Sequence, residues 1–275
     1  MAKLDRLGWA AGLQFVSHGV RIGIRANTAE FPEEVTRCLP PHWEPASTPV
    51  VDHLFSLRLG GDAQRAGTRH FNLLYSGPAR VSRTLNREEL WETLESHLQF
   101  VVAALAERWL FVHAGVVGWQ GRAIVLPGLS YSGKSTLTAA LLRAGATYYS
   151  DEFAVLDAEG RAHPFPRPLS LRQGAEERPL RLSPEALGSS PGEQPLPVGL
   201  VVLSEYREGA RWRPRKLSPG QGLLALLANT VQARRLPEMA LRTLRQVVAE
   251  APAFKGTRGE AEGAAGAILR AAERP

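Results

Sequence analysis

Gly128-Leu-Ser-Tyr-Ser-Gly133-Lys134-Ser135-Thr136 has the G-x-x-x-x-G-K-[ST] spacing of a phosphate-binding loop. Its flanks are those such a loop requires. Ala123-Ile-Val-Leu126 is a short, continuous apolar run with the character of a buried strand. Leu137 to Arg143 is rich in alanine and leucine, with Gly145 placed to end a helix. A strand that turns through glycines into a helix aims several backbone N–H groups, and the positive helix end, at one point. Gly128, Ser130, Tyr131, Ser132, Gly133, Lys134, Ser135 and Thr136 are therefore the expected nucleotide-binding residues. Lys134 directs a full charge toward the β- and γ-phosphates, and the Ser135 hydroxyl is placed to bind Mg²⁺.

The rest of the composition is compatible with a soluble enzyme. Of 275 residues, 44% are hydrophobic and 22% charged, enough for a sizeable core with a solvated surface. No apolar run approaches the roughly 20 residues that span a bilayer. The start, Met1-Ala-Lys-Leu-Asp-Arg6, lacks the long apolar stretch of a secretory leader, so the expectation is a cytoplasmic protein with no membrane partner. Cys38 is the one cysteine, which excludes an intrachain disulfide or a cysteine-based zinc cage. The net charge of +6 comes almost wholly from arginines spread along the chain. That dispersal argues against nucleic acid, whose partners cluster their cations. Arg211-Trp-Arg-Pro-Arg-Lys216 is the one local basic run, and it reads as a solvated strand face. A homo-oligomer stays open.

Two regions are legible. Residues 1–85 read as a small α/β domain, with a hairpin around His18-Gly19, a short helix near residues 30–39, a strand at 54–59 and a second hairpin across Ser76-Gly77-Pro78. Asn86-Arg-Glu-Glu89 resembles a capping box that opens a long helix, whose stripe of Leu90, Leu94, Leu98, Val101, Val102 and Leu105 is packing surface. Residues 86–275 then form the phosphate-loop domain. Strands lead into the loop at 110–112 and 115–119, and a strand at 147–150 ends in two acids. A hairpin follows around Asp157 to Gly160, then a strand at 198–203, two amphipathic helices near 219–231 and 237–249, and an alanine-rich terminal helix.

Three elements carry chemistry. His113 stands 15 residues before Gly128, and Asp151-Glu152 follow Lys134 by 17 and 18 residues. In a parallel α/β arrangement the C-terminal strand ends gather beside the phosphates. Two adjacent carboxylates there can divide the labour, one accepting a proton and the other holding metal. Glu205, after an apolar strand, is the competing acid that an ordinary ATPase or GTPase would use.

His113-Ala-Gly-Val-Val, the Gly128–Ser135 loop and Tyr149-Ser-Asp151-Glu152 resemble, in order and spacing, the catalytic domain of HPr kinase/phosphorylase and its HPr-kinase-like relatives. The resemblance covers about residues 108 to 175, continues weakly toward the C-terminus and is absent from residues 1 to 85. It implies an α/β, P-loop, phosphoenolpyruvate-carboxykinase-like kinase core, ATP with Mg²⁺, and transfer of phosphate to a serine hydroxyl on a protein or peptide. Asp151 then corresponds to the general base. Glu152 corresponds to the second, metal-binding acid, with glutamate where the family has the shorter aspartate. His113 corresponds to a histidine that orients acids or phosphate. Pro164-Phe-Pro-Arg167-Pro-Leu-Ser-Leu-Arg172 resembles a segment of the HPr-kinase-like relatives, and Arg167 and Arg172 are candidates to steady the transferring phosphoryl group. The glycine/arginine/asparagine segment that the bifunctional members use for dephosphorylation is not found, so phosphorylase activity is not implied.

The expectation is an ATP-dependent serine kinase. Two alternatives use the same residues: a kinase of a free small molecule, and a nucleotide-binding regulatory or scaffold protein with little turnover.

Overall fold

A computed structural model of the chain describes residues 4–29, 33–61, 69–128, 132–171 and 180–273. The backbone divides into two compact units, 1–106 and 107–275. In the first, β1 (Ala11–Ser17) and β2 (Val20–Ala26) form the expected hairpin, followed by α1 (Glu33–Arg37), β3 (Glu44–Pro45), β4 (His53–Arg58), β5 (Asn72–Ser76) and β6 (Ala79–Thr84). Six strands lie in the order β3-β1-β2-β4-β5-β6. Helix α2 (Arg87–Leu105) packs on β5 and β6 and buries Leu90, Leu94, Leu98 and Val102. The division therefore falls after α2, whereas the sequence places it before, because the helix's apolar stripe is spent on the first sheet. The cap also differs by half. Asn86 accepts from Glu88 and Glu89 N–H, but the Glu89 carboxylate takes the Thr84 hydroxyl at 2.6 Å. Thr84 in turn accepts the Asn86 N–H at 3.0 Å.

The second unit is mixed α/β. The two strands expected before the loop are one, β7 (Leu110–Trp119), paired antiparallel with β8 (Arg122–Pro127). After the loop come α3 (Lys134–Arg143), β9 (Thr147–Ser150), β10 (Phe153–Leu156) and β11 (Arg161–His163). A small ribbon of β12 (Leu169–Leu171) and β13 (Leu180–Leu182) precedes β14 (Leu196–Tyr206). The chain ends with β15 (Arg215–Lys216), α4 (Pro219–Leu227), α5 (Pro237–Glu250), β16 (Ala253–Arg258) and α6 (Ala261–Ala272). The main strand order is β11-β10-β7-β8-β14-β16-β15, and β11 also pairs with the start of β14, closing a circuit.

This sheet is not the parallel one anticipated: among the described strands of this sheet, β8–β14 and β14–β16 pair in parallel and the remaining pairs are antiparallel. The crevice survives nonetheless. Both β8 and β9 run antiparallel to β7, so they point the same way and end on the same side. Alternate residues of β8 serve opposite faces. Ile124 and Leu126 pack with α3 and α6, while Ala123 and Val125 pack with α4 and α5. Cover on both faces explains why β8 is apolar from Ala123 to Leu126. Among the described residues no helix is long and apolar enough to cross a membrane.

Candidate functional site

The end of β8 delivers the chain into the loop, and α3 begins where it leaves. Gly133 is the N-cap of α3, with φ 82°, a left-handed conformation that favours glycine. Among the described residues no side chain caps this helix, as none caps α5 or α6, whereas Asn86 caps α2 and Ser218 caps α4. A helix start of this kind, following a glycine turn, is suited to an anion. Lys134 is buried, and its aliphatic stem passes the backbone of Gly128. Burial draws its ammonium pKa down, against the charges of Glu152 and Asp151 that act to raise it. Ser132 and Ser135 are half-buried and Thr136 is exposed. Ser130 and Tyr131 lie outside the described residues.

The acid pair sits in a break between β9 and β10. The buried Ser150 hydroxyl accepts the Phe153 N–H at 3.2 Å and the Glu152 N–H at 3.4 Å, which turns the chain out of register for two residues. The Glu152 carbonyl still accepts from Ala114 N–H on β7 at 3.1 Å, so the break remains anchored. Asp151 points inward, 7% exposed, with Ser135 hydrogen-bonded to its carboxylate. Among the described residues its Oδ1 meets no partner, and neither does the buried Thr138 hydroxyl. Both line the space above Gly115. A Cβ there would lie 2.5 Å from Thr138 Oγ1 and 3.8 Å from Asp151 Oδ1, so only glycine admits this arrangement. Burial pushes the Asp151 carboxyl up to about 6, with Glu152 adding to the rise and Ser135, Lys134 and Arg167 restraining it.

His113 ties the loop to the acids. Its Nδ1 meets the Gly128 carbonyl at 2.8 Å and its Nε2 meets Glu152 Oε1 at 3.0 Å. Both partners are acceptors, so both contacts are hydrogen bonds only when each ring nitrogen carries a proton. The ring packs edge-on against Phe153, its register partner on β10. Its backbone N–H donates to the Asn229 carbonyl just after α4 at 2.7 Å. Burial raises the Glu152 carboxyl, but the His113 hydrogen bond and the charges of His113, Arg167 and Lys134 outweigh it and hold it below the ordinary range.

Arg167 reaches this cluster from a distant segment. The Phe165 N–H donates to the Tyr149 carbonyl at 2.9 Å, and the Tyr148 hydroxyl donates to the Arg167 carbonyl at 2.7 Å. These bonds lay residues 165–167 along β9, and the Arg167 charge acts on both Asp151 and Glu152. Arg172 falls outside the described residues. Glu205 is exposed near the end of β14.

One residue was not anticipated. Arg258, at the end of β16, is 1% exposed and donates from Nη2 to the Gly133 carbonyl at 2.7 Å. In sequence it is one arginine among many, 125 residues from its partner, and no local pattern marks it. No family model and no curated protein matches the chain, so the site is read from its own geometry.

Proposed function

We propose that the chain is an ATP-dependent phosphotransferase that phosphorylates a serine hydroxyl on a small protein or peptide, without phosphorylase activity. The observation that carries the reading is Asp151. It is a buried carboxylate with one oxygen that meets no partner among the described residues, held beside Lys134 and Ser135 at the mouth of the loop. With its pKa near 6 it is ionised at neutral pH yet basic enough to take a proton, as a general base must be.

In the proposed reaction the serine oxygen bonds to the γ-phosphorus of ATP, the bond to ADP breaks, and the hydroxyl proton passes to Asp151. Lys134 and Arg167 offset the charge on the phosphates, and the uncapped start of α3 supplies backbone donors. His113 keeps Glu152 and the Gly128 carbonyl in fixed relation. Among the described residues no three His, Cys, Asp or Glu side chains group to hold a metal. That donor set suits Mg²⁺ carried by phosphates, which needs only one or two protein ligands. Ser135 and Glu152 are the residues that would hold it, and it would neutralise phosphate charge.

The test is incubation with Mg-ATP and serine-bearing peptides and proteins, alongside free serine and small alcohols, read by mass spectrometry. Phosphoserine on a peptide, stable to added inorganic phosphate, is the expected result. Turnover of a small alcohol with no peptide labelled would make the protein a small-molecule kinase. ATP binding with no transfer to any acceptor would leave the regulatory reading.

A further inference from the structure

The guanidinium of Arg258 lies directly behind the phosphate loop. β14 and β16 run parallel, with Arg258 opposite Tyr206 at their C-terminal ends. Nη2 donates to the Gly133 carbonyl at 2.7 Å and Nη1 to the Gly259 carbonyl at 2.9 Å. The Gly133 carbonyl also accepts the Leu137 N–H at 3.1 Å, the bond that starts α3. A Cβ on Gly133 would sit 2.5 Å from Nη2, so the glycine makes room for the arginine as well as for the turn.

Among the described residues no acid forms an ion pair with this guanidinium, although the charges of Glu260 and Glu262 act on it and the Tyr206 ring lies 5.7 Å away. Its hydrogen-bond acceptors are two neutral carbonyls, and its buried Nε meets no acceptor among the described residues. Of the two acids, Glu262 is already paired with Arg143 at 3.2 Å, while Glu260 accepts only the neutral Tyr206 hydroxyl at 3.0 Å and offsets the Arg258 charge from a distance, without touching it. Arginine does not escape burial by losing its proton. A buried cation of this kind is costly unless an anion compensates it. Beside it stands the start of α3, whose N-cap, Gly133, supplies no side-chain cap.

We propose that Arg258 is a positioning residue of the phosphate site, with two parts to its action. It fixes the Gly133 carbonyl, and through it the first turn of α3. It also supplies a permanent charge whose counter-ion is the polyphosphate held by the loop. Its burial keeps it from touching phosphate, so it acts through the loop backbone and through its field. The inference rests on the nucleotide reading of the loop.

Calorimetric titration of the full chain with Mg-ATP, and separately with inorganic pyrophosphate, tests it. Wild type is compared with Arg258→Gln, Arg258→Lys and Lys134→Ala. Arg258→Gln should weaken pyrophosphate binding by about tenfold or more, the size of one lost charge-assisted contact. Arg258→Lys keeps the charge but lacks the wide planar fork that spans the Gly133 and Gly259 carbonyls, and should recover part of the loss. Wild-type affinity in both Arg258 variants overturns the proposal. Equal losses in Lys and Gln overturn it too, since a strut without an electrostatic role would not distinguish them. If Arg258→Gln shows no cooperative thermal transition, Arg258→Lys decides alone, and unchanged affinity there refutes the clamp. A wild-type protein that binds neither ligand would instead remove the nucleotide reading itself. Lys134→Ala binding as wild type does would remove it as well.

Discussion

Asp151 and Asp157 stand six positions apart, at opposite ends of β10, and are buried alike, at 7% and 8% exposed. Their surroundings are opposite. Asp157 accepts from the N–H groups of Glu159 at 3.1 Å and Arg161 at 2.8 Å, from Arg161 Nε at 2.8 Å, and meets His163 Nε2 at 2.9 Å. Burial pushes its carboxyl up, and these donors reverse the shift and hold it below the ordinary range. Asp151 has Ser135 on its carboxylate and an oxygen with no partner among the described residues, and burial wins. One acid is satisfied and fastens a hairpin. The other is left unsatisfied where a substrate hydroxyl could complete it. Burial alone therefore does not mark a reactive carboxylate; the missing donor does.

The sharpest way to break this comparison is to neutralise each acid. Asp151→Asn keeps shape and removes the proposed base, so under that proposal phosphoryl transfer should fall by roughly 10²–10⁴-fold with Mg-ATP still bound. Asp157→Asn should leave transfer within about twofold at a temperature where the protein is folded, because its donors face the hairpin. Steady-state rates of the two purified variants decide it. Wild-type turnover in Asp151→Asn would move suspicion to Glu152, and a large loss in Asp157→Asn would undo the division of roles.

A smaller effect runs the other way, in stability. Replacing Asp157 removes a carboxylate from the backbone N–H groups of Glu159 and Arg161 and from the side chains of Arg161 and His163, and should cost about 1–3 kcal/mol. Chemical denaturation at neutral pH measures it. Asp151→Asn should show no such loss, and an equal loss in both would mean that Asp151 is structural after all.

The parts of this site that are local in sequence were legible. The loop spacing, the apolar β8 and the glycine after α3 are short-range signals, and Gly145 and Ala146 N–H do close the helix on Leu142 and Leu141. The hairpin at Asp157–Gly160 was likewise readable from its turn residues. What was not legible depends on contacts between distant segments. The merger of two short strands into β7 follows from neighbours on both sides, β8 on one and β9 with β10 on the other. The antiparallel course of β7 has no sequence mark, because apolar runs look alike in either direction. Arg258 acquires meaning only when β16 is laid beside β14. The strand itself, Ala253-Phe-Lys-Gly-Thr-Arg258, has too little alternation to announce it.

The finest separation of the two acids is in how stability changes with pH, and the signs are opposite. Asp151 has a folded pKa of about 6 against an ordinary value of 3.8, so the folded state holds its proton more tightly than the unfolded chain. Its burial is without electrostatic cost below pH 3.8, and stability is lost as pH rises through about 6. A shift of that size corresponds to a loss on the order of 3 kcal/mol at neutral pH, an upper bound because the site can relax. Asp157 has a lowered pKa, so its contribution is present above 3.8 and is lost as pH falls below it. Relative to wild type, Asp151→Asn should therefore be more stable at pH 7.5, with the difference fading toward pH 4. Asp157→Asn should be less stable at pH 7.5, with its deficit shrinking only at still lower pH. Denaturation midpoints of the three proteins across this range give the test. A stability gap between Asp151→Asn and wild type that does not change from pH 7.5 to pH 4 would show that Asp151 is not held at a raised pKa. The base assigned to the reaction would then lose its physical ground.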